Sequence, residues 1–258
     1  MKIVLIGSGK VASQLGPALS RTGNEIVQVF GRNKVTGTAL AKILRCGFTS
    51  VIRKISSGCD LYLIAIPDDA VPSFLKKFDP GTKPVIHTSG SLSLNVFQDT
   101  RAKNYGAIWP LFSFSGKIMK LPPDIPLFIE ANNKVTEKII AKLTKRLSSN
   151  VHKINSEKRF IIHLAAVFAN NFTNHLLSIS GKILEKEKIP FSILRPMIEQ
   201  ATARLKNESP SQMQTGPAFR GDNKILSKHI KYLKNSPELK MIYQLLSDSI
   251  QAEKRKEK

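Results

Sequence analysis

Through its first half the chain alternates short, almost wholly apolar runs with longer stretches in which apolar residues return every three or four positions. Lys2–Ile6, closed by Gly7, reads as a buried strand, because a strand covered on both faces needs no polar alternation. Val11–Arg21 follows as a helix, with Val11, Leu15, Ala18 and Leu19 at helical spacing and Gly23 as its stop. Glu25–Phe30 predicts a second strand and Thr38–Leu44 a second helix. Leu61–Ile66 is a strongly buried strand stopped by Pro67, and Val85–His87, Gly106–Trp109 and Leu127–Glu130 complete the strand set. Strands separated by helices predict parallel pairing through right-handed crossovers, and hence a doubly wound sheet.

Strand signals stop near residue 155. Asn155-Ser156-Glu157 opens a long helix that runs towards Glu187, limited by Pro190. Phe191–Lys206, Ile225–Leu233 and Pro237–Ala252 are also helical, with Ser236 as a cap and Pro237 at the tolerated first position. Arg204–Gly221 reads as a structured loop, and the charged tail Glu253–Lys258 as frayed. The pattern predicts an α/β domain over residues 1–154 and an all-α domain over residues 155–258.

Composition removes several function classes. At 258 residues, 41% hydrophobic and 23% charged, the chain is long enough for a substantial core and too apolar for overall disorder. Lys and Arg number 40 against 19 Asp and Glu, a formal charge of +21. The excess is spread: residues 1–150 hold 21 basic and 9 acidic groups, residues 151–258 hold 19 and 10. A solvated Lys-rich surface that attracts phosphorylated or carboxylate ligands accounts for this, and no recognition helix or aromatic-studded basic sheet points to a specific nucleic-acid partner. Cys46 and Cys59 cannot form a disulfide framework and lack metal-ligand spacing, so they read as packed thiols and no metal is expected. The first strand is too short for a secretory segment. The apolar stretch Phe160–Phe172 is interrupted by His163, Asn170 and Asn171, short of the roughly 18 apolar residues of a membrane span. A soluble, cytoplasmic protein is expected.

Gly7-Ser8-Gly9-Lys10-Val11-Ala12 has the G-x-G-x-x-A spacing between a predicted strand and a predicted helix. Gly7 permits the tight turn, Gly9 lets the backbone approach a pyrophosphate, and Ala12 lets helix and strand pack closely. The helix start offers unsatisfied N–H groups to phosphates, which places Ser8, Lys10 and Val11 at the same site. This context makes the sheet a Rossmann-type one. At the end of the second strand, where an NAD site carries Asp or Glu, the chain has Gly31-Arg32-Asn33-Lys34. Arg32 can form charge-assisted hydrogen bonds to a 2′-phosphate, so NADP is the expected cofactor, with Asn33 beside it. Ile66-Pro67-Asp68-Asp69 and His87-Thr88-Ser89-Gly90 lie at strand C-terminal ends. Ile66 and Pro67 would form the floor of the cofactor loop, and Ser89 and Gly90 would admit the nicotinamide ribose. Asp68 and Asp69 read as helix N-terminal caps.

At ~100° per residue, His163, Asn170, Asn171, Asn174 and His175 fall on one face of the long, otherwise apolar helix. A helix apolar nearly all round must be buried, within its domain or between protomers. Its buried amides and imidazoles either satisfy one another or serve a reaction. As catalytic groups, His163, Asn171, Asn174 and His175 would donate to a substrate carbonyl and supply its proton. In Thr215-Gly216-Pro217-Ala218-Phe219-Arg220-Gly221-Asp222, Thr215 and Arg220 are candidate substrate-binding groups. Arg220 either clamps an anion or pairs with Asp222.

On these residues the chain resembles the Rossmann-like, NADP-dependent oxidoreductase-like proteins with a helical C-terminal domain of unknown function, related to pyrroline-5-carboxylate reductase and ketopantoate reductase. The resemblance rests on the glycine turn, on Ile66–Ala70 and His87–Gly90, on His163–His175 with its Asn171, Asn174 and His175, and on Thr215–Arg220. It implies a helical dimerisation domain of the phosphogluconate-dehydrogenase type, a homodimer, and an active site between domains. Where relatives have His-Pro or Tyr-Pro this chain has Trp109-Pro110, and an indole shuttles no proton. The Lys and Asn pair of the β-hydroxyacid dehydrogenases is not evident. The expected activity is NADPH-dependent reduction of a small anionic carbonyl or imine substrate, with ketopantoate as one specific version. The alternative is a non-catalytic NADP(H)-binding sensor or scaffold dimer.

Overall fold

The computed structural model describes residues 1–114 and 120–256. Its strands are β1 (Lys2–Ile6), β2 (Glu25–Phe30), β3 (Gly47–Thr49), β4 (Leu61–Ile64), β5 (Val85–His87), β6 (Tyr105–Pro110), β7 (Leu127–Ala131) and β8 (Val151–Lys153). They form one sheet in the order β3-β2-β1-β4-β5-β6-β7-β8. α1 (Lys10–Arg21), α2 (Lys34–Leu44) and α3 (Val71–Lys77) make the crossovers after β1, β2 and β4, and every pairing from β3 to β6 is parallel. The Rossmann-type sheet is therefore present.

β1 and β4 carry the core. Ile3, Leu5, Leu61 and Leu63 pack on one face with Leu19, Leu40 and Ile140; Val4, Ile6, Tyr62 and Ile64 pack on the other with Phe74 and Phe97. The period-2 alternation of a strand divides one continuous apolar run between two hydrophobic layers, which is why the run shows no polar alternation.

The far side of the sheet departs from an all-parallel arrangement. β7 runs antiparallel to β6, and β8 pairs parallel with β7. No helix intervenes between β6 and β7 among the described residues. Without a crossover helix the returning strand pairs antiparallel. α4 (Lys134–Thr144), which links β7 to β8, was not evident in the apolar spacing; Asn133 caps it by accepting from Thr136 N at 2.9 Å.

The predicted long helix is present in three parts: α5 (Ser156–Ala166), a π-helical turn at Val167–Phe172, and α6 (Thr173–Lys186). The chain divides into two compact units, Met1–His175 and Leu176–Lys258, a division that falls within α6. α5 belongs to the first unit because its Arg159 is buried and ion-paired with Glu130 on β7.

The second unit contains the rest of α6, α7 (Arg195–Arg204), α8 (Pro217–Arg220), α9 (Asn223–Tyr232) and α10 (Pro237–Lys256). The segment expected to be a loop holds the single turn α8, and the tail continues α10 as far as Lys256. Phe160, Ile161, Leu164 and Phe168 on the long helix are exposed. No helix among the described residues is long and apolar enough to cross a membrane.

Candidate functional site

Strand order reverses direction between β1 and β4, and the chain's first glycine sits at that point. Gly7 has φ +128°, and a Cβ there would lie 2.2 Å from the carbonyl oxygen of Ala65, just after β4. Only glycine allows the two strand ends to approach so closely. Gly9 is different: a Cβ on it would meet nothing within 4 Å. It is the N-cap of α1, which has no side-chain cap and no acidic residue in its first turn. The helix therefore presents its first amides uncapped at a switch point, the arrangement that receives phosphates in open α/β sheets.

A cleft of about 640 Å³ opens beside this turn. Of the residues expected at a cofactor, Gly7, Ser8, Gly9, Arg32, Asn33, Ile66 and Pro67 line it. Lys10 and Val11 do not; Val11 packs against the core, and both offer backbone amides at the start of α1. Asn33 caps α2, accepting from Thr36 N at 3.1 Å, and the Ser8 and Thr36 hydroxyls are 2.8 Å apart. These contacts fix the glycine loop to the start of α2 and aim the Arg32 backbone. Lys77, Ser73 and Phe74 also line the cleft. They were missed because α3 is only seven residues long and carries Pro72 near its start, leaving too little periodicity to mark a helix.

Ser89 and Gly90 lie outside that lining and lead to a second cleft, of about 620 Å³. A Cβ on Gly90 would sit 2.6 Å from Trp109 Cε2 and 2.7 Å from His163 Cδ2. The glycine here makes room for protein side chains. Trp109 and His163 have ring centroids 5.7 Å apart, and both line the second cleft with Phe112, Ser113, Asn170 and Asn171. The two consecutive asparagines stand in the π turn, where adjacent residues are closer in angle than the ~100° of an α-helix. Asn174 and His175 follow on α6, exposed and outside this lining. The polar face drawn from a uniform helical pitch is thus divided by the π turn. Thr215 and Arg220 belong to the second unit, where Gly216 (φ +104°) and Gly221 (φ +76°) bracket α8. Asp222 caps α9 through Ile225 N at 3.2 Å, and among the described residues no ion pair joins it to Arg220.

A hydrogen-bonded chain ties the loops at the strand ends together. Asp68 is not a helix cap: its Oδ2 accepts from Ser89 Oγ at 2.6 Å and Ser91 Oγ at 2.5 Å, linking the loops after β4 and β5. Ser89 Oγ accepts from Leu92 N at 3.0 Å, and Arg159 donates to Leu92 O at 2.5 Å. His87 is buried, and its Nδ1 accepts from Ser89 N at 3.2 Å. Burial, reinforced by the Arg159 charge, pushes its pKa down to about 3, so the imidazole is neutral. Its place in the stack with Phe97 makes it part of the sheet's packing.

Two family models match the sequence. Residues 2–89 match the NADP oxidoreductase, coenzyme F420-dependent model, and residues 125–250 match a domain of unknown function, DUF2520. Among solved structures, a candidate NADP oxidoreductase from Bacteroides fragilis is 32% identical, with a TM-score of 0.91 over 97% of this chain and 98% of that one. A 1-pyrroline-5-carboxylate reductase from Streptococcus pyogenes, 16% identical, superposes with a TM-score of 0.65 over 98% of each chain. An imine reductase from Myxococcus stipitatus in complex with NADP+, 15% identical, gives 0.62 over 99% of this chain and 93% of that one. The latter two share the fold. Among curated proteins, none matches the sequence.

Proposed function

The chain belongs to the family of NADP oxidoreductases represented by the Bacteroides fragilis protein, and from that premise we propose that it is an NADPH-dependent reductase of small anionic carbonyl or imine compounds, acting as a homodimer. The observation that carries the reading is the glycine turn itself. Gly7 is the only residue type its backbone admits, Gly9 leaves open space, and an uncapped helix start faces a cleft that also holds Arg32. These features fit a dinucleotide. The Gly7–Gly9 loop and the first α1 amides would hold the pyrophosphate, and Arg32 would hold the 2′-phosphate, with Lys77 as a second cation. Ser89 and Gly90 would border the nicotinamide ribose from the next loop.

NADPH, when bound, supplies a hydride to an unsaturated carbon. The chain's own part is to orient the substrate and deliver the matching proton. His163 is the proposed proton donor to the carbonyl oxygen or imine nitrogen, and the Asn171 carboxamide is a donor that stabilises charge developing there. Asn174 and His175 extend the polar set along α6, and Thr215 and Arg220 are the proposed holders of a substrate anion. The S. pyogenes and M. stipitatus enzymes, sharing this fold, support trying imines first; ketopantoate is the carbonyl to assay beside them.

Calorimetry with NADPH and NADH tests the cofactor assignment. NADPH should bind the more tightly, and Arg32→Ala should cost about 1.5–3 kcal/mol of NADPH affinity while leaving NADH nearly unaffected. An Arg32→Ala protein that keeps its NADPH affinity, from a parent that binds NADH equally well, excludes the assignment. His163→Gln and Asn171→Ala should each lower kcat by about 10²-fold with NADPH affinity retained. Tight NADPH binding with no hydride transfer to any carbonyl or imine would make the protein a sensor and not a reductase.

A further inference from the structure

We propose that the buried Arg159, through its ion pair with Glu130, is a positioning residue that holds His163 and the Ser89–Gly90 loop in one arrangement at the second cleft. The proposal deepens the reductase reading, on which it rests for the role of that cleft.

The Arg159 side chain is 1% exposed, a rare state for a guanidinium, and a buried ion pair is weak evidence for stability by itself. What distinguishes this one is the set of segments it joins. Nη1 donates to Glu130 Oε2 on β7, while Nη2 donates to Leu92 O in the loop after β5 and to Ser156 Oγ, at 3.2 Å, in the first turn of its own helix. Glu130 clamps the same turn, accepting from Ser156 N at 2.9 Å and Ser156 Oγ at 2.8 Å. Leu94 N adds a bond to Ser156 Oγ at 3.0 Å. Strand, loop and helix start are thus fixed to one another around a single guanidinium.

Both ends of this clamp reach the second cleft. From Leu92 the chain of bonds passes to Ser89 Oγ, the residue before Gly90. Along α5, His163 lies four residues after Arg159, one turn further on the same face. There its ring and Trp109 fill the space above Gly90. Any shift of the α5 start relative to the loop would open or close the gap between His163 and Gly90, which has no slack for even one methyl group. A planar fork can hold these acceptors together, whereas a lysine ammonium is a single point charge on a flexible stem. Arg159 itself does not line either of the two clefts, so its effect on the site is exerted through the groups it holds.

Trp109 is the only tryptophan in the chain, so its emission reports this contact directly. Two variants serve: Arg159→Lys, and the double variant Glu130→Gln with Arg159→Met, which leaves no unpaired charge buried. In folded samples, judged by far-UV dichroism and cooperative urea unfolding, Trp109 emission should shift to the red and become more accessible to acrylamide. With NADPH and 1-pyrroline-5-carboxylate, a cyclic imine that carries a carboxylate, kcat should fall on the order of 10²-fold, the cost of a small displacement of reacting groups. A pair that only stabilises the fold would lower the urea midpoint while leaving Trp109 emission, quenching and kcat at wild-type values, and that result overturns the proposal. The emission measurement needs no substrate. A wild-type protein that turns over nothing would therefore count against the reductase reading alone, and Trp109 would still decide the role of Arg159.

Discussion

Gly7 is the residue on which the cofactor cleft turns, because two separate constraints meet at one atom. Its φ of +128° disfavours any side chain, and the Ala65 carbonyl occupies the place a Cβ would take. Gly7→Ala should force β1 and β4 apart at the cleft, destabilise the protein by about 2–4 kcal/mol, and remove detectable NADPH binding in a sample that still folds. Retention of wild-type NADPH affinity would show that the turn does not shape the site. His87 makes a second residue-scale prediction. Below about pH 6.5 the unfolded chain protonates this imidazole, while the folded protein keeps it neutral down to about pH 3. Stability should therefore fall with pH across that window, by up to about 1.4 kcal/mol per pH unit from this group. Urea unfolding of wild type and His87→Asn at several pH values checks it: the variant should show a shallower slope between pH 6 and 4. The glycine fingerprint was legible because its chemistry is local, three small residues between a strand and a helix. Lys77 and Arg159 were not, since each is one of 40 basic residues until the fold brings it to a cleft or to a carboxylate on a neighbouring strand.

At the scale of elements, legibility followed burial. β1 and β4 announce themselves as continuous apolar runs because both of their faces are covered. β3 and β8 are three residues each, lie at the two edges of the sheet, and are partly exposed, so they leave no comparable signal. The π turn at Val167–Phe172 is invisible for another reason: an extra residue within a helical turn changes the pitch without changing composition. It is nonetheless what separates Asn170 and Asn171, which line the second cleft, from Asn174 and His175, which do not. If that separation serves the reaction, deleting Ala169 should restore a regular helix and turn Asn170 and Asn171 away from the cleft. Far-UV dichroism should then be unchanged while NADPH-dependent turnover drops on the order of 10²-fold. A deletion variant with undiminished turnover would make the π turn incidental.

The whole molecule is asymmetric in how its parts are stabilised. The first unit buries a sheet between two hydrophobic layers, whereas in the second unit, among the described residues, only Ala218, Leu226 and Leu233 are buried. Meanwhile Met241 and Leu245 on α10 are 72% and 70% exposed, and Met197 on α7 is 61% exposed. Helices with so little buried apolar surface are not stable on their own, since most helical stability in proteins comes from packing an apolar face. Large side chains left in water at this density are the kind of surface that a partner chain would cover. A second copy of this chain is the occupant proposed for it. The pure protein should therefore sediment as a dimer at micromolar concentration, with a thermal midpoint that rises as protein concentration rises. Met241→Lys combined with Leu245→Lys puts two ammonium groups where apolar contact is expected, and should weaken association by about 10-fold or more. Because Met241 and Leu245 lie outside the linings of both clefts, NADPH binding to the separated chains should persist. A monomer at all concentrations, with a midpoint independent of dilution, would mean that these helices are stabilised in some other way.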